Sequence, residues 1–98
     1  MRILQKPVTV VEKESIGQLK FTKDDVLTDP AQKRLRTIYL KKAEALGNGY
    51  KNKVKLVFQT DKSDLMAVET TIWSANDEFI SLKGGLNIPT KSIVDIEF

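Results

Sequence analysis

The sequence predicts an α+β domain in which one amphipathic helix is followed by a five-stranded, strongly bent antiparallel sheet or small barrel. Three observations lead to this prediction. Residues 29–47 space their apolar side chains as a helix does, between strong start and stop signals. Residues 53–98 form short alternating segments separated by tight turns. A chain of 98 residues is long enough for only one such core.

The segment before the helix has the weakest signals in the chain. Residues 8–11 and 17–21 are candidate strands, but a proline or a glycine interrupts each of them. We therefore expect residues 1–28 to form an N-terminal arm that is partly disordered or loosely packed. Residues 29–98 are expected to form the helix and the small barrel.

Composition bears on location and on chemistry. The first seven residues lack a long apolar stretch with a small-residue cleavage site, and no apolar run of membrane-spanning length follows, so a cytoplasmic location is expected. The chain has no cysteine and no histidine, which removes the thiolate nucleophile, the commonest general base and the usual zinc ligands. The carboxylates show no pairing typical of a general acid and base. The sequence therefore predicts a non-enzymatic protein without cofactor or metal.

The helix signal over residues 29–47 begins with Asp29 as N-cap and ends at Gly47 and the glycine that follows it. On a helical wheel one apolar face gathers, and we expect it to pack against the sheet. Its members are Ala31, Leu35, Ile38, Tyr39, Ala43 and Leu46. Lys42 falls inside this apolar arc, where its stem is expected to lie along the surface. Leu40 falls among the charged residues and is expected to be exposed.

Residues 53–98 are expected to contain five strands. Their positions are 53–59, 65–74, 78–83, 86–88 and 93–98. Gly84 and Gly85 form a two-residue hairpin turn, because both positions tolerate a positive φ. Pro89 ends the fourth strand, since proline offers no N–H to a ladder.

A core can be listed from these patterns. It comprises Leu35, Ile38, Tyr39, Leu46, Val54, Leu56, Phe58, Val68, Ile72, Ile80, Leu82, Ile88, Ile93, Ile96 and Phe98. The register of the first two strands is left open. In one register the even-numbered residues of both strands face the core, and Trp73 lies outside near Lys53. A slip of one residue reverses that arrangement.

The net charge of +3 is unevenly distributed along the chain. Residues 1–30 are neutral, residues 31–62 carry a net charge of +7, and residues 63–98 carry a net charge of −4. The middle third is therefore the part with the charge to attract an anionic partner.

A helix followed by short strands, with the segment EFISLKGGLNIPTKSIVDIEF at the end, resembles the Sm-like and other SH3-like small barrels. The helix-then-barrel order also resembles small protein inhibitors of the Rho termination factor. Bacterial Sm-like RNA chaperones carry Tyr-Lys-His before the last strand, and Lys91 is the one matching residue here. The phrases KKAEALGN, VETTIW and LKGG resemble those of a family of short uncharacterised bacterial proteins. The resemblance implies a bacterial small-barrel binding module.

Two functions are consistent with these features. The first is a regulatory or adaptor module that binds an unidentified protein. The alternative is weak, sequence-independent binding of single-stranded nucleic acid, RNA above all, in which lysines hold phosphates and Trp73 stacks on a base. The candidate contact residues are Lys33, Arg34, Arg36, Leu40, Lys41, Lys51, Lys53, Lys55, Trp73 and Lys91. A purely structural interpretation is also open, with a solvated basic helix face, lysines that guard an edge strand and Trp73 in the core.

Overall fold

The computed structural model describes residues 7–98 and confirms the α+β class. The elements in chain order are β1 (Val8–Val10), a 3-10 helix (Lys13–Gln18), α1 (Pro30–Tyr50), β2 (Val54–Gln59), β3 (Leu65–Thr70), β4 (Ile72–Ala75), β5 (Phe79–Leu82), β6 (Asn87–Pro89), a second 3-10 helix (Thr90–Ser92) and β7 (Ile93–Glu97). These seven strands form two sheets, and neither sheet closes on itself. The expected single sheet of five strands is corrected accordingly.

The larger sheet has the strand order β1-β3-β2-β7, in which only the β1–β3 pair is parallel. Leu56 lies opposite Val68, and Phe58 lies opposite Met66. Even-numbered residues therefore pair with each other, as in the first of the two registers considered above. Because side chains alternate along a strand, this pairing directs Leu56, Phe58 and Val68 into the core.

The smaller sheet is the meander β4-β5-β6. The expected second strand, residues 65–74, is divided at Thr71 between the two sheets because the Thr71 carbonyl accepts a hydrogen bond from the Lys83 N–H at 3.0 Å. A register shift beside Trp73 bends β4 further. The glycine hairpin is confirmed, since Gly84 and Gly85 have φ values of 98° and 84°.

The described part of the arm, residues 7–28, is built onto the larger sheet and the core. The candidate strand over residues 8–11 is formed as β1, and it runs beside β3. The expected strand over residues 17–21 is not formed, because the chain turns through the first 3-10 helix and places Ile16 in the core. The prediction for residues 1–6 lies outside the described residues.

The core lies between the two sheets and α1. Ten of the predicted core residues are buried: Val54, Leu56, Phe58, Val68, Ile72, Ile80, Leu82, Ile88, Ile93 and Ile96. The helix and the chain end differ from the prediction. Leu35, Ile38 and Phe98 are exposed, and Tyr39 and Leu46 are only half-buried.

The reason is the rotation of α1 about its own axis. Its buried side is formed by Arg36, Leu40, Ala43 and Gly47. At 100° per residue, this side is about 100° away from the centre of the predicted apolar face. The prediction of an exposed Leu40 is wrong, because only 3% of the residue is accessible. The helix also continues through Gly47 to Tyr50, and its left-handed C-cap is Lys51, with a φ of 56°.

Candidate docking surface on α1

The polar side of α1 holds the open edge of β4. Lys41 Nζ donates to the Ala75 carbonyl at 2.9 Å, and the Glu44 carboxylate accepts from the Ala75 N–H at 2.8 Å. One turn further on, Asn48 Nδ2 donates to the Trp73 carbonyl at 3.0 Å. These bonds satisfy backbone groups that an edge strand would otherwise present to another chain. Lys41, a candidate contact residue, thus has a structural role at this edge.

Close approach between α1 and β4 depends on Gly47. A Cβ atom at this position would lie 2.1 Å from the Ile72 carbonyl oxygen and 3.2 Å from the Thr71 methyl group. The glycine therefore allows the helix to rest against the strand backbone. From the sequence, Gly47 is expected to end the helix. The helix instead continues to Tyr50, and Lys51 is its C-cap.

Buried hydrogen bonds of Arg36 attach the first half of α1 to the rest of the protein. Its two terminal nitrogens donate to the Asp25 carboxylate at 2.9 and 2.6 Å, and Nη1 also donates to the Ile93 carbonyl at 3.0 Å. Burial alone raises the pKa of the Asp25 carboxyl, but hydrogen bonds from Arg36 and from the Leu27 N–H, together with the Arg36 charge, hold that pKa below its ordinary value. Arg36, a candidate contact residue, is buried, and both of its terminal nitrogens are hydrogen-bonded within the chain.

With these residues facing inward, an apolar side of α1 remains uncovered. Leu35 and Ile38 are 48% and 54% exposed. Tyr39 of the same helix lies beside Phe98, with the two rings 5.9 Å apart in a T-shaped contact. Lys42 Nζ lies 4.7 Å from the centre of the Phe98 ring, a cation–π distance. We call Leu35, Ile38, Tyr39 and Phe98 the α1 flank.

A groove of about 310 Å³ runs between the α1 flank and the outer edge of β7. Its lining residues are Gln32, Leu35, Arg36, Tyr39, Val94, Asp95 and Ile96. Two backbone groups of β7 on this side already have partners within the chain. The Ile93 carbonyl accepts from Arg36, and the Ile96 N–H donates to the Asp95 carboxylate at 2.9 Å. These two groups are therefore not free to bind a ligand in the groove.

The remaining candidate contact residues are not gathered on one surface. Lys33, Arg34, Lys51, Lys53 and Lys91 are exposed, and they lie on α1, on the turn after it and on the second 3-10 helix. Lys55 is half-buried on β2, directly between Glu69 of β3 and Glu97 of β7. Opposite charges at directly facing positions attract, so Lys55 lies in acidic surroundings within the sheet.

Trp73 lies on the outer face of the smaller sheet. It is 37% exposed, and Phe79 on the neighbouring strand is 48% exposed. Ile80 and Leu82 of β5 face inward, so Phe79 and Ser81 face outward by alternation. The interpretation of Trp73 as a core residue is thereby excluded, and two aromatic side chains share one sheet face.

A larger groove, of about 450 Å³, lies between the arm and the start of β4. Three lysines (Lys13, Lys53 and Lys83) and three glutamates (Glu12, Glu14 and Glu69) line it, so it favours neither anions nor cations. Within residues 7–98 no cluster of carboxylates has a geometry that could hold a metal ion. No helix of this same stretch is long and apolar enough to cross a membrane.

Comparisons with protein-family models, with curated proteins and with solved structures gave no match. The small-barrel resemblance therefore stays a prediction. Sequence reasoning missed the α1 flank because it assigned all four of its residues to the core. One signal was present: Ala43 and Gly47 are small and four residues apart, a spacing that lets a helix approach a neighbouring backbone closely.

Proposed function

We propose that this protein is a small non-enzymatic binding module, regulatory or adaptor in role, that docks another protein on the α1 flank in the cytoplasm. The observation that supports this most is the exposure of Leu35 and Ile38 on the side of α1 that the sheets leave uncovered. Single exposed apolar residues are common on protein surfaces. Here Leu35 and Tyr39 line a groove, Ile38 is exposed on the same helix, and the Tyr39 ring contacts Phe98. Several apolar side chains close together on a surface are typical of interaction sites.

The size of the patch indicates the kind of complex. Leu35, Ile38 and Phe98 are each about half exposed, so full burial of each would contribute about 1 kcal/mol. Association also costs translational, rotational and side-chain freedom, which offsets part of this gain. The proposed complex is therefore reversible, as a regulatory contact requires, and its affinity depends on charged groups around the patch as well.

We also propose that the fold is related to small barrels of the SH3 or Sm type. The strand pairing supports it: β2 lies between β3 and β7, while β4 continues β3 and pairs with β5 in a meander. The second 3-10 helix leads directly into β7. In this proposal α1 and the β7 edge form the binding surface of the module.

Site-specific photo-crosslinking tests the proposed function. A benzophenone amino acid replaces Ile38 in one variant and Phe79 in another, since both side chains are about half exposed. Each variant is irradiated in an extract of the native cells, with and without nuclease. We expect a protein adduct from position 38 that resists nuclease and disappears when Leu35→Asp is added. An adduct only from position 79, or one lost on nuclease treatment, contradicts the proposal.

Single-stranded nucleic-acid binding is a second candidate, favoured by the exposed Trp73. An indole on an open sheet face can stack on a base, and Phe79 offers a second ring on the same face. Arg36 and Lys41 have hydrogen-bond partners within the fold, and Lys55 faces Glu69 and Glu97 on the neighbouring strands. Lys33, Arg34, Lys51 and Lys53 then remain for phosphate contact.

A fluorescence titration with a labelled single-stranded oligonucleotide tests this candidate. Four phosphate contacts give a slope of about −3 for log affinity against log salt, and Trp73→Ala costs about 1 to 3 kcal/mol of binding. Leu35→Asp serves as the matched control, because it changes the α1 flank and leaves the sheet face intact. Affinity weaker than millimolar at low salt, or a slope near zero, refutes this function.

A further inference from the structure

The uncovered side of α1 has the residue spacing of a helix-packing seam. Six exposed residues follow one another alternately four and three positions apart: Ala31, Leu35, Ile38, Lys42, Ala45 and Gly49. This spacing keeps a row of side chains aligned with a second helix. The row extends over about 27 Å at 1.5 Å per residue. Small residues at both ends allow a partner helix to approach the backbone closely.

The charges on and beside the seam indicate what kind of partner would bind to it. Arg34 and Lys41 border the seam on one side, and Lys42 lies within it. Glu44 is the acidic residue of α1, and its carboxylate is directed at the Ala75 N–H of β4. The seam therefore presents the apolar side chains of Leu35 and Ile38 together with positive charge at Lys42 and along one border. A segment that combines apolar and acidic side chains would be attracted to it and correctly oriented on it.

Two other occupants fit less well. A strand added to β7 would find the Ile93 carbonyl and the Ile96 N–H already bonded within the chain. A second copy of this chain would add the cations Lys42 and Arg34 of both seams to one interface. Like charges at a shared interface cost binding energy, so self-association along α1 is disfavoured.

We infer that the α1 seam binds an acidic amphipathic helix of a partner protein, an inference that rests on the proposed function. The apolar face of that helix would lie on Leu35 and Ile38. Its carboxylates would reach Arg34 and Lys42, and binding would weaken as salt screens these pairs.

The probe is a fluorescein-labelled synthetic helix of three heptads, with leucine at the core positions and glutamate at the flanking ones. A matched peptide carries lysine in place of glutamate. Fluorescence anisotropy should show that the acidic peptide binds at least about tenfold more tightly than the basic one. Leu35→Asp should weaken acidic-peptide binding about tenfold or more, because it places a carboxylate in the seam. Phe79→Asp, at the same exposure, should leave that binding unchanged.

The charge-reversed double variant, Arg34→Glu with Lys42→Glu, is the decisive comparison, because it should prefer the basic peptide. Circular dichroism confirms that each variant is folded. Equal binding of both peptides, or no saturable binding of the acidic one, overturns the inference. So does a dimer of the chain alone that Leu35→Asp dissociates in sedimentation equilibrium. If neither peptide binds while the nuclease-resistant adduct from position 38 still forms, only the acidic-helix partner is refuted. If that adduct is absent as well, the α1 flank is refuted as a docking surface.

Discussion

Replacement of Gly47 by alanine should separate α1 from β4. The added Cβ would lie 2.1 Å from the Ile72 carbonyl oxygen, more than 1 Å inside normal contact. The two nearest obstructing atoms belong to the Ile72 backbone, so turning a side chain aside cannot make room. The helix itself must move. A movement of that size disturbs the bonds that Lys41, Glu44 and Asn48 make to β4.

The expected cost follows from three contributions. Overpacking costs about 1 to 3 kcal/mol, and each weakened hydrogen bond costs about 0.5 to 1.5 kcal/mol. The better helix propensity of alanine returns about 0.5 to 1 kcal/mol. With the middle of each range, and with one to three of these bonds weakened, we expect a net loss of about 2 to 4 kcal/mol. This loss lowers the Tm of a domain of this size by roughly 10 to 20 °C.

Gly49 provides the matched control, because it lies two residues further along α1 and nothing is within 4 Å of the Cβ it lacks. Gly49→Ala should gain about 0.5 kcal/mol from helix propensity alone. Urea unfolding followed by far-ultraviolet circular dichroism measures both variants. Gly47→Ala should lower the free energy of unfolding, and Gly49→Ala should raise it. A Gly47→Ala variant as stable as the Gly49→Ala variant would show that α1 does not rest on β4 in this way.

Three further predictions concern the interior of the protein. Arg36→Met should lower the free energy of unfolding by about 3 kcal/mol, because it leaves Asp25 without its cation. Arg34→Met, at an exposed position, should change it by no more than about 0.5 kcal/mol. Equal urea midpoints for the two variants would show that the buried pair does not stabilise the fold. The folded pKa of Asp25 lies below its unfolded value, so its contribution is present above pH of about 4 and is lost as the pH falls through the folded pKa. The stability gap between wild type and Asp25→Asn should therefore close in acid, and a gap independent of pH contradicts this. Phe58→Ala and Ile72→Ala should each cost about 2 to 5 kcal/mol in thermal melts, with the exposed Phe79→Ala as the control that melts near wild type.

The strands were largely predictable because their signals are local. Alternation over β2 and β5 and the two glycines of the hairpin fixed strand positions without knowledge of the rest of the chain. The division of residues 65–74 was not predictable in this way. It depends on the hydrogen bond from the Lys83 N–H to the Thr71 carbonyl, a contact between residues twelve positions apart.

The orientation of α1 could not be read from hydrophobicity alone. The helical wheel ranks Leu35 and Ile38 above Gly47 as core residues, yet the glycine is buried and the two large side chains are exposed. Close backbone approach at Gly47 and the pairing of Arg36 with Asp25 select the buried side instead. Both depend on partners distant in sequence. The candidate docking surface consists of the apolar residues that this rotation leaves uncovered.

The orientation of α1 is also the claim on which the proposed function depends most directly. The chain has no cysteine, so single-cysteine variants at positions 35, 38 and 40 report accessibility without background. Labelling with a maleimide dye under native conditions should modify Leu35→Cys and Ile38→Cys at the rate of an unfolded chain. Leu40→Cys should react about a hundredfold more slowly, since its thiol becomes accessible only when the chain opens. Fast labelling at position 40 with protection at positions 35 and 38 would restore the orientation expected from the helical wheel and contradict the docking surface.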